Sequence, residues 1–356
     1  MLIQHDKLRT IVRAICMAAG SKGDEPAQVA DNLVDANLTG HDSHGVGMLP
    51  RYIACVLIGE LVPNQHVKVL KDDGTILMLD GGKGYGQVIG RQAMALGIER
   101  ARRHGVCVLT VRDSFHLCRI GAWAEQCAAA GMVSMHYVNV LGRRPIVAPF
   151  RGSDARYGTN PYTCVLPGTD NNPPVLLDMA TSLVAVGKVR VARNKGERVN
   201  PGALIDAEGR PTTDPNVMYT QPYGAVLPFG EHKGYGMALM SEMLAGVLSG
   251  GDTMRRDTAR EKDVAINNML AIVFDPARFV DGDRYGAEVD ATIADVKASP
   301  PQDSSAPVLM PGDPERANRA ERGANGIPID DATWDELLAA AESVGLAREE
   351  ILAMAS

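Results

Sequence analysis

The sequence is poor in aromatic residues and has no excess of basic charge. Only 4% of its 356 residues are Phe, Trp or Tyr, so aromatic platforms for single-stranded nucleic acid are scarce. Acidic side chains outnumber basic ones by 43 to 36, which removes the positive footprint expected of a protein that binds a phosphate backbone. We therefore expect no nucleic-acid partner.

Paired cysteines and long apolar runs are also missing. None of the six cysteines has a neighbour at C-x-x-C spacing, so neither a zinc ribbon nor a redox dithiol is present. Most lie in apolar runs, as Cys107 does between two valines, where a small buried hydrophobic residue is the expected role. No run approaches the roughly 20 apolar residues of a membrane span, and the N-terminus lacks a signal-peptide pattern. We expect a cytoplasmic protein without a membrane partner.

Hydrophobic spacing indicates helices at both ends of the chain and a mixed centre. Apolar residues at helical spacing predict helices over 5–20 and 26–39. Thr333 and Glu336 have capping-box spacing, so we expect a terminal helix to begin at Thr333. Short apolar runs predict strands at 75–79, 106–111 and 132–138, which alternate with helices.

These patterns give an expected domain organisation. Residues 1–70 should form a helical segment that packs against the helices of residues 305–356. Residues 71–304 should form an α/β core between them.

A glycine-rich segment, Gly81–Gly90, follows a predicted strand and precedes a predicted helix. It does not fit the Rossmann fingerprint, because Gly84-x-Gly86 needs a third glycine three places on and Gly90 stands four places on. We predict a tight turn at which two backbone segments approach closely.

The densest polar cluster is His41-Asp42-Ser43-His44, between Gly40 and Gly45. A histidine in a loop can donate and accept protons near neutral pH, which suits general acid–base chemistry. His41, Asp42 and His44 could instead be metal ligands of a hydrolase or lyase, although no further ligand is near in sequence. A network of hydrogen bonds that caps the preceding helix is the third interpretation.

Three further segments carry polar residues at the ends of predicted elements. His116 follows the strand at 106–111 and could relay protons, contact a cofactor or be a satisfied structural histidine. Small residues after Asp178 would let a ligand approach the backbone, or Thr181 and Ser182 could simply cap a helix. Lys233 stands before an apolar helix over 237–248, where it could contact an anion or lie in a turn.

Taken together, seven segments resemble those of the malate/L-lactate dehydrogenase family, which also contains ureidoglycolate and sulfolactate dehydrogenases. They occur in the family's order and span nearly the whole chain. The segments are His41-Asp42-Ser43-His44-Gly45, Asp113-Ser114-Phe115-His116, Gly158-Thr159-Asn160-Pro161, Asp178-Met179-Ala180-Thr181-Ser182, Thr212-Thr213-Asp214-Pro215, His232-Lys233-Gly234-Tyr235-Gly236 and Pro311-Gly312.

The resemblance implies an NAD(P)-dependent oxidoreductase that interconverts 2-hydroxy acids and 2-oxo acids, normally as a homodimer. It implies an α/β fold with a mixed sheet, of the non-Rossmann type found in sulfolactate dehydrogenase, with a helical domain formed by both termini. The NAD(P)-binding region should then lie within about residues 106–284.

The resemblance also implies roles for individual residues. His44 would give its proton to the substrate carbonyl oxygen, Ser43 would hold the substrate or the imidazole, and His116 is a second acid–base candidate. No metal is implied. The expected substrate contacts are Met48, Arg51 and Asn160. The residues expected to line NAD or NADP are Cys118, Arg119, Ile120, Leu176, Leu177, Asp178, Met179, Ala180, Thr181, His232, Lys233, Asn268, Gly312 and Asp313.

The chain departs from this family at Met48, where most relatives have an arginine that can hold the substrate carboxylate. Arg51, Arg143, Arg144 or Lys233 could hold the carboxylate instead. Met48 could also widen the site for a bulkier apolar 2-oxo acid. The departure leaves open a protein that binds the dinucleotide without catalysis.

Overall fold

The computed structural model describes residues 1–255, 257 and 264–355. Its strands are β1 (Leu2–Ile3), β2 (Lys68–Asp72), β3 (Ile76–Asp80), β4 (Val106–Phe115), β5 (Val133–Leu141), β6 (Tyr162–Leu166), β7 (Val175–Met179), β8 (Leu204–Ile205), β9 (Pro211–Thr212), β10 (Ala225–Val226), β11 (Ile266–Phe274) and β12 (Ile327–Pro328). Its α-helices are α1 (His5–Ala18), α2 (Glu25–Leu38), α3 (Leu49–Leu57), α4 (Gly86–His104), α5 (Gly121–Ala129), α6 (Val186–Lys195), α7 (His232–Glu242), α8 (Gly282–Lys297), α9 (Asp313–Asn325), α10 (Asp331–Ser343) and α11 (Arg348–Ala355). A π-helical turn, Met243–Val247, extends α7.

A seven-stranded mixed sheet lies at the centre, in the order β2-β3-β4-β11-β5-β6-β7. Only β3 and β4 run parallel, and every other neighbouring pair is antiparallel. This confirms the predicted mixed α/β fold. Strand β11 lies between β4 and β5, and its Ile266 pairs with Phe115 on one side and Leu141 on the other. The carboxyl ends of β4 and β5 therefore reach the same edge of the sheet.

One face of this sheet packs against α4 and α5. Leu109 and Val273 of the sheet share an apolar core with Met94 of α4 and Trp123 of α5, and all four are buried. Gly97 lets α4 approach closely, since a Cβ there would lie 2.5 Å from the Leu109 side chain. Burial of this apolar surface holds the two helices on the sheet.

The two ends of the chain form one helical layer, as the sequence predicts. Leu8 of α1, Leu33 of α2, Leu337 of α10 and Ile351 of α11 belong to a single buried core. Strand β1 pairs with β12, which ties the first residues to Ile327–Pro328. The helical domain formed by both termini is thus confirmed, while the exact divisions at residues 70 and 305 remain a prediction.

Three details of the helix ends differ from the sequence predictions. Helix α10 begins at Asp331, because Asp330 is the cap and its carboxylate accepts hydrogen bonds from the Thr333 amide and hydroxyl at 2.9 and 2.8 Å. Thr181 and Ser182 do not cap α6, whose N-cap is Ala185. The apolar helix begins at His232, and Met240 and Met243 on it are about half exposed.

All six cysteines are unpaired. Among the helices that the structure describes, none is long and apolar enough to cross a membrane.

His136 is a histidine buried completely in the middle of β5. Its Nε2 lies 2.9 Å from the Ser134 hydroxyl, and its Nδ1 has no hydrogen-bond partner within the described residues. Burial lowers the pKa of His136 to about 3. The unfolded chain, with a histidine pKa of about 6.5, therefore binds the proton more readily than the folded protein.

We expect His136 to make the protein sensitive to acid. Its contribution to stability is complete above pH 6.5 and is lost as the pH falls toward the folded-state value. Between pH 7.5 and 5.0 the free energy of unfolding in urea should fall by about 2 kcal/mol more for the wild type than for His136→Phe. Equal pH dependence in the two proteins would contradict this prediction.

Candidate active site

The polar loop that follows α2 is held in place by Asn37. This nearly buried side chain accepts a hydrogen bond from the Val46 amide at 2.8 Å and donates one to Asp42 Oδ1 at 2.7 Å. Gly45 is required beneath it, because a Cβ there would lie 2.2 Å from Asn37 Oδ1. The loop consequently winds into two short 3-10 turns, Asp42–His44 and Val46–Met48.

Two of the four polar residues in this loop attach it to α9. His41 Nε2 lies 3.1 Å from Glu315 Oε1, and Arg322 donates to both oxygens of Asp42 at 2.7 and 3.1 Å. Within the described ranges, no three His, Cys, Asp or Glu side chains are grouped as metal ligands. The contacts of His41 and Asp42 therefore account for them as residues that position the loop.

The remaining two residues of the loop meet His116. The rings of His44 and His116 stack with centroids 5.6 Å apart and planes 21° apart. Ser43 Oγ lies 3.0 Å from His44 Nδ1, and the Cys118 thiol donates to the His44 carbonyl at 2.9 Å. The structure thus brings together all three residues expected to be catalytic.

A buried tyrosine forms a hydrogen bond with Nδ1 of His116. Tyr52 of α3 has its hydroxyl 2.7 Å from His116 Nδ1, and the Gln87 amide donates to the same hydroxyl at 3.3 Å. Gly86 makes this approach possible, because a Cβ there would lie 2.1 Å from the His116 carbonyl oxygen. The close backbone approach predicted for the glycine-rich segment is therefore confirmed at Gly86. Both Nδ1 atoms are occupied, and within the described residues no hydrogen bond uses Nε2 of His44 or His116, so each Nε2 is open to a ligand.

Burial keeps both histidines neutral at pH 7. It lowers the pKa of His44 to about 4, and the charge of His41 lowers it further. Burial also holds the pKa of His116 well below its usual value, with added effects of His44, Arg51 and Arg143. Each ring can therefore act as a base at neutral pH, and a proton taken up at Nε2 can be returned to a bound oxyanion.

Arg119 is a buried cation beside this pair. Its guanidinium is bonded to Glu125 and lies 3.8 Å from carboxylate oxygens of both Asp35 and Asp178. Burial opposes its charge, but Glu125 and Asp178 outweigh that effect and raise the pKa of Arg119. Its Nε and Nη1 have no hydrogen-bond partner in the described part of the chain.

Most residues expected to bind the dinucleotide converge on β7. The Asp178 carboxylate accepts a hydrogen bond from the Gly121 amide at 2.9 Å, which joins β7 to the segment Cys118–Ile120 and the start of α5. The Leu176 amide donates to the Pro311 carbonyl at 3.1 Å, just before Gly312 and Asp313.

The other end of β7 leads to α7. The Phe229 amide donates to the Thr181 carbonyl at 3.1 Å, three residues before His232 and Lys233. The edge strand and the residues that follow it thus connect the N-terminal ends of α5, α9 and α7.

Two of the expected contact residues are instead enclosed by the protein. The amide of Asn268 accepts from the Asp113 backbone and donates to Asn139 Oδ1 and the Asp252 carbonyl. The amide of Asn160 donates to the Ala238 carbonyl and to Glu242. Both side chains are completely buried, and their contacts fix loops and α7. Asn160 Oδ1 has no hydrogen-bond partner among the described residues, and the expected ligand contacts of both asparagines stay a prediction.

The two other expected substrate contacts, Met48 and Arg51, stand at the start of α3. Met48 ends the second 3-10 turn, and its side chain packs partly buried against the apolar core of the terminal helices. Arg51 precedes Tyr52, and its charge lowers the pKa of His116.

Two functional contacts were absent from the sequence prediction. Tyr52 looks like one more core residue of α3, between Leu49 and Ile53. The only signal was its hydroxyl, which needs a partner when the ring is buried. Gly187 of α6 was also missed, although a Cβ there would lie 2.5 Å from Ser43 Cβ.

Comparisons with known proteins agree with this geometry. The sequence profile of the malate/L-lactate dehydrogenase family matches residues 3–338. Hydroxycarboxylate dehydrogenase B of Escherichia coli strain K12 is 47% identical over 97% of this chain and 95% of its own. L-lactate dehydrogenase of Cupriavidus necator is 40% identical over 98% of this chain and 99% of its own.

The fold has a counterpart among solved structures. Sulfolactate dehydrogenase from Methanocaldococcus jannaschii superimposes with a TM-score of 0.87 and 31% identity, over 98% of this chain and 99% of that one. The expected sulfolactate-dehydrogenase-like fold is therefore confirmed. The chain belongs to the malate/L-lactate dehydrogenase family of oxidoreductases.

Proposed function

We propose that this chain is an NAD(P)-dependent oxidoreductase that interconverts 2-hydroxy acids and 2-oxo acids. The observation that carries the proposal is the stacked pair His44 and His116, each with Nδ1 held by a hydroxyl and Nε2 left for a substrate oxygen. Conversion of an alcohol to a carbonyl needs a group that removes the hydroxyl proton, and a neutral histidine is suited to that step.

The surroundings of β7 fit a nicotinamide dinucleotide. A Cβ at Gly121 would lie 2.4 Å from Asp178 Oδ2 and 2.6 Å from Arg119 Nη1, so only a glycine permits this close packing at the start of α5. The N-terminal ends of α5 and α9 favour a negatively charged pyrophosphate. Residues 118–121, 176–181 and 312–313 would hold the cofactor, which supplies or accepts the hydride when bound.

We assign the proton exchange to Nε2 of His116. Gln87 and Tyr52 lie behind its Nδ1 and are buried, so the orientation of this ring is fixed from inside the protein. His44 stacks against it, and in the part of the chain that the structure describes its ring has one hydrogen-bond partner, Ser43. In the oxidation direction His116 accepts the hydroxyl proton, and in the reduction direction it returns that proton to the carbonyl oxygen.

The test is the loss of reduced-nicotinamide absorbance when the protein is mixed with NADH or NADPH and a panel of 2-oxo acids. We expect oxidation of at least one cofactor by at least one member of a panel that runs from pyruvate and oxaloacetate to phenylpyruvate. A boiled sample and a panel of the corresponding esters serve as controls, since an ester lacks the carboxylate. Cofactor binding without turnover of any acid would contradict the proposal and favour a non-catalytic dinucleotide-binding protein.

A further inference from the structure

Arg143 follows the end of β5 at the edge of the sheet where His116 follows the end of β4. Phe115 and Leu141 pair with the same residue of β11, Ile266. Two strand spacings separate them, so the two chain exits lie about 10 Å apart. An arginine side chain that starts from β5 is long enough to cover most of that distance.

The backbone makes a left-handed turn at Gly142, directly after β5. Gly142 has φ +80°, and a Cβ there would lie 2.7 Å from the Val264 carbonyl oxygen. The Val264 amide donates to the Gly142 carbonyl at 3.2 Å. A side chain at this turn would be strained on both grounds, so glycine favours the conformation from which Arg143 leaves the sheet.

The charge of Arg143 reaches both histidines of the site. It contributes to the lowered pKa of His44 and to that of His116. It also acts on Tyr219, where it counteracts the rise in pKa that burial causes. The Tyr219 hydroxyl donates to the Val186 carbonyl at 3.4 Å, and Gly187 next to it touches Ser43. The charge of Arg143 therefore acts on the histidine pair and on Tyr219, in agreement with the shared sheet edge.

The other cations near the histidines are less suited to hold an anion. Arg119 is buried among the carboxylates of Asp35, Glu125 and Asp178. Arg51 is on α3, next to Tyr52 in the chain, and does not come from the edge of the sheet. Arg143 instead follows the end of β5, at the sheet edge where His116 follows the end of β4.

We propose that Arg143 binds the carboxylate of the 2-hydroxy or 2-oxo acid and thereby positions the adjacent carbon beside His116. This proposal rests on the proposed function. A guanidinium and a carboxylate form two parallel N–H···O hydrogen bonds, which fix the orientation of the acid as well as its affinity. The substrate class is then set by the carboxylate next to the reacting carbon.

Arg144 provides a matched control. Its guanidinium stacks 4.0 Å from the centroid of the Tyr223 ring and donates to the Met218 carbonyl. Arg144→Ala therefore removes the same charge, one residue away, from a side chain engaged with a neighbouring loop.

The experiment compares Arg143→Ala, Arg143→Lys and Arg144→Ala with the wild type. We expect Arg143→Ala to lower kcat/KM for the 2-oxo acid by about 10- to 100-fold, mainly through KM, as expected for loss of hydrogen bonds to a charged group. Arg143→Lys should recover part of the loss, and millimolar guanidinium chloride should rescue Arg143→Ala.

Arg144→Ala should stay within about 3-fold of the wild type. NADH affinity, measured by fluorescence, should be equal in all four proteins, and circular dichroism checks that each is folded.

A second readout does not depend on turnover. Oxalate, a small dicarboxylate without a reducible carbonyl, should bind the wild type and Arg144→Ala in the presence of NADH and bind Arg143→Ala at least 10-fold more weakly. Wild-type kcat/KM and oxalate affinity in Arg143→Ala would overturn the proposal. If the wild type turned over no acid, the proposed function would fail, and the oxalate measurement alone would decide whether Arg143 holds a carboxylate.

Discussion

Replacement of His116 by asparagine is expected to lower turnover of the 2-oxo acid by about 10²–10⁴-fold, the usual contribution of one positioned acid–base group. Asparagine can still form a hydrogen bond with the Tyr52 hydroxyl, which lies 2.7 Å from His116 Nδ1, so the support behind the ring is retained. It cannot exchange a proton near neutral pH. The loss should therefore appear in kcat, with cofactor affinity unchanged in a fluorescence titration.

His41 and His44 make this experiment discriminating. His41→Asn changes the same residue type in the same region, but His41 contacts Glu315 of α9, so its turnover should stay within about 10-fold of the wild type. His44→Asn tests the role first assigned from the family resemblance. A loss of 10² or more in His44→Asn, together with near-normal turnover in His116→Asn, would transfer the proton exchange to His44.

Tyr52→Phe separates positioning from proton exchange. In the wild type the ring centroids of Tyr52 and Phe115 lie 5.3 Å apart in an edge-to-face contact. The variant keeps this ring contact and removes only the hydroxyl. If Tyr52 orients His116, turnover should fall by less than in His116→Asn, and the double variant should lose no more than His116→Asn alone. Full additivity of the two losses would show that the hydroxyl acts independently of the ring.

The residues of the site were predictable where polar groups interrupt an apolar pattern. Ser43, His44 and His116 stand out in the sequence because they are polar residues at the ends of elements, and the structure brings them into contact. Tyr52 was not predictable in the same way, since its ring fits the apolar spacing of α3 and its partner is 64 residues away. Asn268 was assigned to the cofactor by resemblance, and only the structure reveals that its amide is used inside the protein.

The elements of the fold were predictable from periodicity, but the order of the strands was not. The expected strands at 106–111 and 132–138 correspond to β4 and β5. No local pattern indicates that β11, more than 120 residues later, inserts between them. That insertion creates the shared register at Ile266 which places His116 and Arg143 at one edge, so the geometry of the site depends on a contact that local spacing does not encode.

Glu242 shows how the same long-range packing stabilises this edge. Its carboxylate is almost completely buried at the end of α7. Oε1 accepts hydrogen bonds from Asn139 Nδ2 at 2.9 Å and from the Met254 amide at 2.6 Å, while Oε2 accepts from Asn160 Nδ2 at 2.7 Å. One side chain therefore joins α7 to β5, to the segment before β6 and to the chain that leads toward β11.

Glu242→Ala is expected to lower the free energy of unfolding by about 3–6 kcal/mol, because three buried donors lose this acceptor at about 1–3 kcal/mol each. The upper end is below the full sum, since the amides of Asn139 and Asn160 each keep a second acceptor. Glu242→Gln should cost less, since its remaining oxygen can still accept. Glu288→Ala, which truncates an exposed glutamate of α8, is the control and should change stability by no more than about 0.5 kcal/mol. Urea denaturation measures all three variants. A Glu242→Ala protein within 1 kcal/mol of the wild type would mean that water replaces the carboxylate and that α7 is held by its apolar contacts alone.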